Sequence, residues 1–378
     1  MAVCDVSIIS EKSKFIFEVI FMNGKMKGFG IIEPLVEVGW MEKDIPQVGY
    51  YDALVAPVVL SPCTSDTHGS MQCTPECAGP KGRILGHEVV GKIIEVGEGV
   101  KDFKPGDIVL VPAATPDYRA IECQDNIAQH AHGPLQGMVL STGIDGAFAE
   151  YFLCPDVDNN AAFIPDGVSL DQAVMVGDMM TTGFHGAELA EVKFGDTVVV
   201  IGIGPVGLMS VAGSALRGAG TIIGVGHREI TKQLAREYGA SHVVDYHDGD
   251  IVEQVFAITN GRPADAVIIT GGGQKQISSA LKMLKPNGVV ANLEGMYDEL
   301  VVPAMDSIMW CAHKKLTGGI CPGGRRRMER LFDIIKSGRC DPSKLITHRL
   351  YGFDTIPDGF DMMMDPKPDD VVKPVIYI

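Results

Sequence analysis

Two groups of residues have the types and the spacing that a metal site and a dinucleotide site require. Cys63 and, 24 residues later, His87 offer a thiolate and an imidazole, and Glu88 adds a carboxylate beside them. Catalytic zinc sites take three protein ligands of these kinds and keep a fourth position open. Cys63 and His87 are therefore candidate ligands, with Asp178 as the third. Glu88 is an alternative or transient ligand.

A glycine cluster, Gly202-Ile203-Gly204-Pro205-Val206-Gly207, has the form of a turn that holds a dinucleotide. It follows an apolar strand and opens a helix, which is the context that the motif requires. Gly202 permits the tight turn, Gly204 lets the backbone approach a pyrophosphate, and Gly207 lets helix and strand pack closely. Pro205 suits the first helical turn, where free N–H groups face the phosphates.

The residues after the next predicted strand indicate which dinucleotide binds. NAD sites place an Asp or Glu about 20 residues after the first glycine, where it holds the ribose 2′-hydroxyl. This chain has Gly226-His227-Arg228 there, and no carboxylate before Glu229. The Arg228 guanidinium can instead pair with a 2′-phosphate, which a carboxylate would repel. The sequence therefore predicts NADP rather than NAD.

The size and composition of the chain limit the classes of protein to which it can belong. At 378 residues it suits about two domains. The net charge of -16 argues against a nucleic-acid or anionic-membrane surface. No stretch approaches the roughly 18 apolar residues that a membrane helix needs. The nine cysteines lack framework spacing, which favours reduced thiols and a soluble, cytoplasmic protein.

The pattern of apolar residues changes near Ser169 and predicts two kinds of fold in one chain. From Met26 to about Ala162 it consists of short β runs punctuated by Gly, Pro and Asp, which is typical of an antiparallel, barrel-like β domain. After Ser169, strands alternate with helices. This alternation predicts an α/β fold with a doubly wound parallel Rossmann sheet.

These patterns divide the chain into a tail and two domains. We predict a dinucleotide-binding Rossmann domain over residues 178–320, and a catalytic zinc-binding domain over residues 26–177 and 321–378. Residues 1–25 lack the positively charged start of a signal peptide. We interpret them as a tail, or the product of an upstream start codon, without a catalytic role, with organelle targeting as the alternative.

Four runs of the sequence resemble those of a known family. They are Ser61-Pro62-Cys63-Thr64-Ser65-Asp66, Ile84-Leu85-Gly86-His87-Glu88, the segment from Asp178 to Glu188, and Gly318-Gly319-Ile320-Cys321-Pro322-Gly323-Gly324-Arg325. They resemble the zinc-dependent alcohol dehydrogenases of the medium-chain dehydrogenase/reductase superfamily, most of all the NADP-dependent secondary alcohol dehydrogenases. The resemblance covers residues 26–378 and implies a GroES-like catalytic domain beside the Rossmann domain.

The resemblance implies a role for each candidate residue. Cys63, His87 and Asp178 bind one catalytic zinc, with Glu88 close by. Ser65 and His68 relay the proton. His227 stands where relatives carry Ser and adds a pH-sensitive phosphate contact. Contacts with NADP are implied for Thr182, Gly226, His227, Arg228, Tyr246, Leu293, Glu294, Gly295 and Lys367.

The implied substrate pocket departs from the family at three positions. Ala114 falls where relatives carry Ile, Met138 where they carry Trp, and Gly295 where they carry Tyr. All three changes reduce side-chain volume and predict a preference for bulkier ketones or aldehydes. The alternative is that neighbouring loops, including residues 69–82, refill the space. The other implied pocket residues are Ala113, Ile320 and Cys321.

The implied reaction interconverts secondary alcohols and ketones, and some primary alcohols and aldehydes. Zinc acts as a Lewis acid and hydride is exchanged with the nicotinamide. One alternative is a zinc-free quinone or enoyl reductase of the same superfamily, which has no reason to keep the three ligands together. The other is a non-enzymatic use of the fold, which would tolerate the loss of Ser65 and His68.

Two further expectations follow from the resemblance. It implies a homotetramer. Many members of the superfamily carry a four-cysteine structural zinc lobe before the third ligand. This chain has only Cys123 and Cys154 in that region, so no second zinc is expected.

Overall fold

The computed structural model describes residues 24–295, 300, 302 and 311–378, so most of the proposed N-terminal tail lies outside the described residues. The strands are β1 (Lys25–Glu33), β2 (Glu37–Asp44), β3 (Ala53–Leu60), β4 (Val89–Val96), β5 (Ile108–Val111), β6 (Phe152–Cys154), β7 (Ala162–Phe163), β8 (Thr197–Ile201), β9 (Thr221–Val225), β10 (His242–Val244), β11 (Ala264–Ile269), β12 (Leu284–Asn292), β13 (Lys315–Gly318), β14 (Ile346–Tyr351) and β15 (Lys373–Tyr377). The helices are α1 (Thr64–Met71), α2 (Val157–Asn160), α3 (Leu170–Met175), α4 (Thr181–Leu189), α5 (Pro205–Leu216), α6 (Glu229–Glu237), α7 (Ile251–Ile258), α8 (Lys275–Met283), α9 (Arg325–Lys336) and α10 (Ile356–Asp361).

Strands β1 and β2 form a two-stranded sheet of their own, whereas β3 to β7 and the end of the chain share one mixed sheet. Its order is β14-β15-β3-β4-β5-β7, and β6 pairs with the first residues of β3, Ala53–Val55. Strand β15 is antiparallel to β3 and parallel to β14. The C-terminal strand therefore returns to the first part of the chain, and it places Lys373 under the residues that follow β3.

A six-stranded parallel sheet is formed by the middle of the chain, in the order β10-β9-β8-β11-β12-β13. Its central strand β8 reads Thr-Val-Val-Val-Ile and is almost wholly buried, as expected for a parallel strand covered by helices on both faces. The strand order reverses between β8 and β11. Ligands of such sheets bind outside the carboxyl ends of the strands at this reversal.

The two sheets are joined by a buried helical segment. It begins at Ser169, whose side chain accepts a hydrogen bond from the Gln172 N–H in a capping box. Between α3 and α4 the helix widens into one π-helical turn, Val176–Met180. Such turns often occur at functional sites. This turn carries Asp178, and it packs in a core that continues from β3 and β5 to β8.

The fold class predicted from the sequence is confirmed. The glycine cluster follows the strand Thr197–Ile201 and opens the helix Pro205–Leu216, as the sequence predicted. No helix among the described residues is long and apolar enough to cross a membrane. The division of the chain into domains remains a prediction.

Candidate active site

Four side chains that could hold a metal ion meet between the two sheets. Cys63 precedes α1, His87 and Glu88 precede β4, and Asp178 lies in the π-helical turn. All four are buried, and one potential ligand atom from each lies within 4.8 Å of those of the others. The structure therefore brings together the four residues that the sequence proposed as ligands, although they come from three separate segments.

Asp66 holds two of these segments together. One oxygen of its buried carboxylate accepts a hydrogen bond from the Cys63 N–H at 2.9 Å, and the other accepts from the Gly86 N–H at 3.1 Å. The second oxygen also lies 3.0 Å from His87 Nδ1. A carboxylate on Nδ1 fixes the ring so that Nε2 faces the other ligand atoms. Sequence reasoning missed this role, although a carboxylate three residues after a helix N-cap is a capping signal.

The Asp178 carboxylate is positioned by its own helix. Thr182, one turn later, donates a hydrogen bond from Oγ1 to Asp178 Oδ1 at 2.7 Å. The other oxygen, Oδ2, lies 3.5 Å from His87 Nε2 and 3.8 Å from Cys63 Sγ. Thr182, proposed as a cofactor contact, thus touches a candidate metal ligand.

A buried lysine balances the negative charge of the group. Lys373 Nζ lies 2.5 Å from Glu88 Oε1 and donates to the Pro62 carbonyl at 2.8 Å, and neither charged side chain is exposed. Burial lowers the pKa of Lys373, but the charges of Glu88 and Cys63 outweigh it and raise the pKa above its ordinary value. Sequence reasoning missed Lys373 because no local pattern links it to a residue 285 positions away.

The donor set fits a zinc ion. Burial raises the pKa of the Cys63 thiol, but Lys373 and the His87 hydrogen bond outweigh burial, and the net pKa is lowered. A lowered pKa favours the thiolate, which is the form that binds metal. Sulfur, imidazole nitrogen and carboxylate oxygen are the ligands of catalytic zinc. Glu88 Oε2 has no hydrogen-bond partner, so this buried oxygen is available as a further ligand.

The proposed proton-relay residues lie on α1. Ser65 Oγ is 3.2 Å from His87 Nε2, beside the candidate metal ligands. His68 Nε2 is 2.9 Å from Asp365 Oδ2, and the Asp365 side chain is 51% exposed. The path from the metal group toward solvent therefore ends at a carboxylate that sequence reasoning did not find. Gln72 holds Asp365 in place through hydrogen bonds to its backbone C=O and N–H.

A cleft of about 820 Å³ opens where the order of the parallel strands reverses. It is bordered by the turn after β8, the residues after β9 and β11, and a segment near the C-terminus. The proposed cofactor residues among its lining are Gly202, Gly204, Gly226, His227, Arg228, Tyr246 and Lys367. Lys367 Nζ also donates a hydrogen bond to Thr64 Oγ1, next to Cys63. The cleft and the candidate metal group therefore share a wall.

The glycine turn fits a dinucleotide. Gly202 has a φ of 90°, and a Cβ there would lie 2.8 Å from the Gly271 nitrogen. A Cβ on Gly207 would overlap the Gly202 carbonyl oxygen and lie 2.7 Å from Thr270 Oγ1. A Cβ on Gly204 would meet nothing within 4 Å, so this backbone is open to the cleft. Pro205 and Val206 then begin α5, whose N-terminal N–H groups suit a pyrophosphate.

The residues that the sequence assigned to a 2′-phosphate meet at one end of the cleft. Arg228 Nη1 donates to the Val371 carbonyl at 2.5 Å. The Tyr246 hydroxyl is hydrogen-bonded to His227 Nδ1. A Cβ on Gly226 would lie 3.0 Å from Ile203 Cδ1. Among the described residues, the turn that follows β9 carries no carboxylate before Glu229.

Other proposed cofactor and substrate residues lie nearby. The Glu294 carboxylate accepts hydrogen bonds from Gly273 N at 3.0 and 3.1 Å, and burial raises its pKa. Cys321 is buried, and its thiol contacts the Gly177 carbonyl at 3.7 Å. Of the remaining proposed positions, Ala113 and Ala114 are buried. Leu293, Met138 and Ile320 are half-buried, and Gly295 is exposed.

Known families and proteins match this chain along most of its length. Residues 49–166 match the alcohol dehydrogenase GroES-like domain family, and residues 205–337 match the zinc-binding dehydrogenase family. The chain is 48% identical to the NADP-dependent isopropanol dehydrogenase of Clostridium beijerinckii, covering 93% of this chain and 100% of that protein. It is 49% identical to the enzyme of the same name from Thermoanaerobacter brockii, with the same coverage of both chains.

Solved structures show the same architecture. The zinc-dependent alcohol dehydrogenase 2 of Streptococcus pneumonia superposes with a TM-score of 0.83 at 27% identity, covering 93% of this chain and 98% of that one. The alcohol dehydrogenase TADH of Thermus sp. ATN1 gives 0.80 at 26% identity, covering 94% and 99%. The chain belongs to the zinc-dependent alcohol dehydrogenases of the medium-chain dehydrogenase/reductase superfamily. The family and the enzyme class predicted from the sequence are confirmed.

Proposed function

We propose that this alcohol dehydrogenase uses NADP and one zinc ion to interconvert secondary alcohols and ketones, together with some primary alcohols and aldehydes. The observation that carries the proposal is the shared wall between the two sites. Lys367 lines the dinucleotide cleft and bonds to Thr64, the neighbour of Cys63. A substrate held at the metal group therefore lies beside the cofactor cleft. The isopropanol dehydrogenases named above support both the cofactor and the substrate class.

The residues of the chain have distinct tasks in this reaction. Cys63, His87 and Asp178 hold the zinc, with Glu88 beside them. When bound, zinc would supply a Lewis acid for the substrate oxygen, and the nicotinamide of NADP would supply the acceptor or donor of the hydride. The Ser65 hydroxyl moves the proton of the substrate oxygen.

His68 then takes the proton to the half-exposed Asp365 and to solvent. The buried surroundings of Asp178 and Glu88 exclude water from the reacting atoms.

Initial rates test the proposal. The enzyme should reduce acetone or 2-butanone with a higher kcat/KM for NADPH than for NADH. The Asp178→Asn variant should lose activity and zinc while keeping its NADPH affinity. Equal kcat/KM values for the two cofactors would contradict the NADP assignment, and full activity in Asp178→Asn would contradict the ligand set.

We further propose a cytoplasmic homotetramer built from chains with the two domains predicted above, residues 26–177 with 321–378 and residues 178–320. Support for a reducing compartment comes from the eight described cysteines, each of which is free. Support for the tetramer comes from the family resemblance. Light scattering of the purified protein should give four times the mass of one chain, and a monomer or dimer mass would refute the tetramer.

A further inference from the structure

We infer that His227 and His247 couple the 2′-phosphate end of the cleft to protons. Binding of a 2′-phosphate takes up protons there, and the preference for NADPH over NADH rises as the pH falls. This inference rests on the NADP dependence proposed above. It adds His247 to the site and assigns the pH dependence to two imidazoles.

The two imidazoles form a ring cluster with Tyr246, in which His227 and Tyr246 line the cleft and His247 packs against both of them. The ring centroids of His227 and His247 are 5.1 Å apart, and Tyr246 lies 5.1 Å from the first and 4.5 Å from the second. The Tyr246 hydroxyl is hydrogen-bonded to His227 Nδ1. The His227 side chain is 38% exposed and the His247 side chain is 65% exposed, so both rings are open to solvent.

The second nitrogen of His227 faces a carboxylate across the cleft. His227 Nε2 lies 3.9 Å from Asp369 Oδ1, and both residues line the cleft beside Arg228. A neutral imidazole has one donor nitrogen, whereas an imidazolium donates from both. Protonation therefore gives His227 a donor on each side. A phosphate at this end could accept the Nε2–H in place of the exposed Asp369 side chain.

Charged residues of both signs surround the two imidazole rings. Arg228 follows His227, and His247 Nδ1 lies 3.3 Å from Asp245, which also pairs with Lys232 of α6 at 3.0 Å. Lys232 in turn pairs with Glu229. The remaining charged residues that line the cleft are Lys275 of α8 and, from the C-terminal segment, Asp365, Lys367 and Asp369.

The charge balance of the cleft explains the direction of the effect. Its lining carries three cationic side chains, from Arg228, Lys275 and Lys367, against the two carboxylates of Asp365 and Asp369. A phosphate monoester brings a charge of about −1.5 to −2 into a chain whose net charge is already -16. An imidazolium at His227 adds a positive charge to the cleft lining, and one at His247 adds a second positive charge 5.1 Å from that ring. Binding therefore favours the protonated rings, and affinity falls as the pH rises through the imidazole range.

The like charges of two imidazolium rings 5.1 Å apart repel each other when no anion is present. A phosphate beside them removes this repulsion. The two rings therefore protonate more readily in the complex than in the free protein. The site binds NADP(H) more tightly under acidic conditions without an equal gain for NAD(H), which lacks the phosphate.

Calorimetric titration with two nucleotides tests the inference without any turnover. The probes are adenosine 2′,5′-bisphosphate and 5′-AMP, titrated in buffers of different ionisation enthalpy, so that both affinity and proton uptake are measured. The bisphosphate preference is the ratio of the affinity for the bisphosphate to the affinity for 5′-AMP. Between about pH 6 and pH 8.5, this ratio should fall roughly tenfold more in the wild-type enzyme than in His227→Ser. A tenfold change is what a one-unit rise of one imidazole pKa on binding produces. Proton uptake should be larger in the wild-type enzyme.

Matched variants isolate the imidazoles. The second ionisation of the 2′-phosphate near pH 6 is common to every variant and cancels in the comparison. His247→Ala should remove a smaller part of the pH dependence, and Asp369→Asn should tighten bisphosphate binding. His227→Lys, which stays charged, should bind tightly with little pH dependence. His242→Ser replaces an exposed histidine outside the cleft and should behave as the wild-type enzyme.

The possible failures can be told apart. If wild-type and His227→Ser enzymes both prefer the bisphosphate with the same pH dependence and the same proton uptake, the inference is overturned while the NADP assignment stands. If the wild-type enzyme binds the bisphosphate and 5′-AMP equally at every pH, the NADP assignment fails as well. Retained 5′-AMP binding in each variant shows that the cleft is folded.

Discussion

Replacing two glycines of the same turn with alanine should separate cofactor binding from folding. Gly207 is closely packed, since a Cβ there would overlap the Gly202 carbonyl oxygen and lie 2.7 Å from Thr270 Oγ1. Overpacking of this kind costs about 1–3 kcal/mol, so Gly207→Ala should lower the free energy of unfolding by that amount. The turn it distorts also holds the pyrophosphate, so NADPH affinity should fall too.

Gly204→Ala should lower NADPH affinity without lowering stability. Gly204 is the N-cap of α5 with φ −75°, a conformation that alanine adopts, and its added Cβ meets no protein atom within 4 Å. An alanine N-cap costs on the order of 1 kcal/mol, which the lower entropy of the unfolded chain offsets by about 0.4–1 kcal/mol. Stability should therefore stay near that of the wild-type enzyme. The methyl group occupies the space of the pyrophosphate, so NADPH affinity should fall about tenfold or more.

Urea denaturation and NADPH fluorescence titration on the same preparations measure both effects. We expect a stable Gly204→Ala enzyme that binds NADPH weakly, and a destabilised Gly207→Ala enzyme. A Gly204→Ala enzyme with wild-type NADPH affinity would refute the placement of the cofactor on this turn. An unchanged unfolding free energy in Gly207→Ala would refute the packing argument.

Three further changes have outcomes that follow from the site. Lys373→Met leaves the fully buried Glu88 without its cation and should lower the free energy of unfolding in urea by about 3–5 kcal/mol. The double variant Glu88→Gln, Lys373→Met should lose clearly less unfolding free energy, and equal losses would show that the pair is not coupled. Arg228→Ala should weaken NADPH binding by about 1.5–3 kcal/mol and barely change NADH binding, whereas equal losses for both cofactors would count against the 2′-phosphate assignment. If Met138, Ala114 and Gly295 leave an enlarged pocket, kcat/KM should rise from acetone through 2-pentanone to a phenyl ketone, with a gain of roughly 0.8 kcal/mol for each additional buried CH₂. Met138→Trp should reverse this ranking of substrates, and an unchanged ranking led by acetone would exclude the pocket interpretation.

The sequence predicted most reliably what local patterns encode. The strand Thr197–Ile201, the turn from Gly202 to Gly207 and the start of α5 at Pro205 follow from apolar runs, glycine spacing and proline chemistry that are complete within a few residues. The alternation of strands and helices then allowed few topologies other than a parallel sheet. The run Ile84-Leu85-Gly86-His87-Glu88 was informative for the same reason.

Contacts between distant segments could not be predicted from the sequence. Asp66 joins the Cys63 and His87 loops, Lys373 reaches Glu88 across 285 positions, and Asp365 meets His68 across 297. Each partner is an ordinary charged residue in its own segment, and only the pairing of β15 with β3 and the course of the C-terminal segment bring them to the site. The π-helical turn around Asp178 was also missed, because it depends on packing between the two sheets.

Zinc-dependent reconstitution of activity tests the central claim most directly. The enzyme is stripped with a chelator and titrated with Zn²⁺ while NADPH oxidation by 2-butanone is followed. We expect no activity in the stripped enzyme and full recovery at about one zinc per chain, with no recovery in the Cys63→Ser, His87→Ala double variant. Full activity in the stripped enzyme, or a requirement for two tightly held zinc ions per chain, would contradict it.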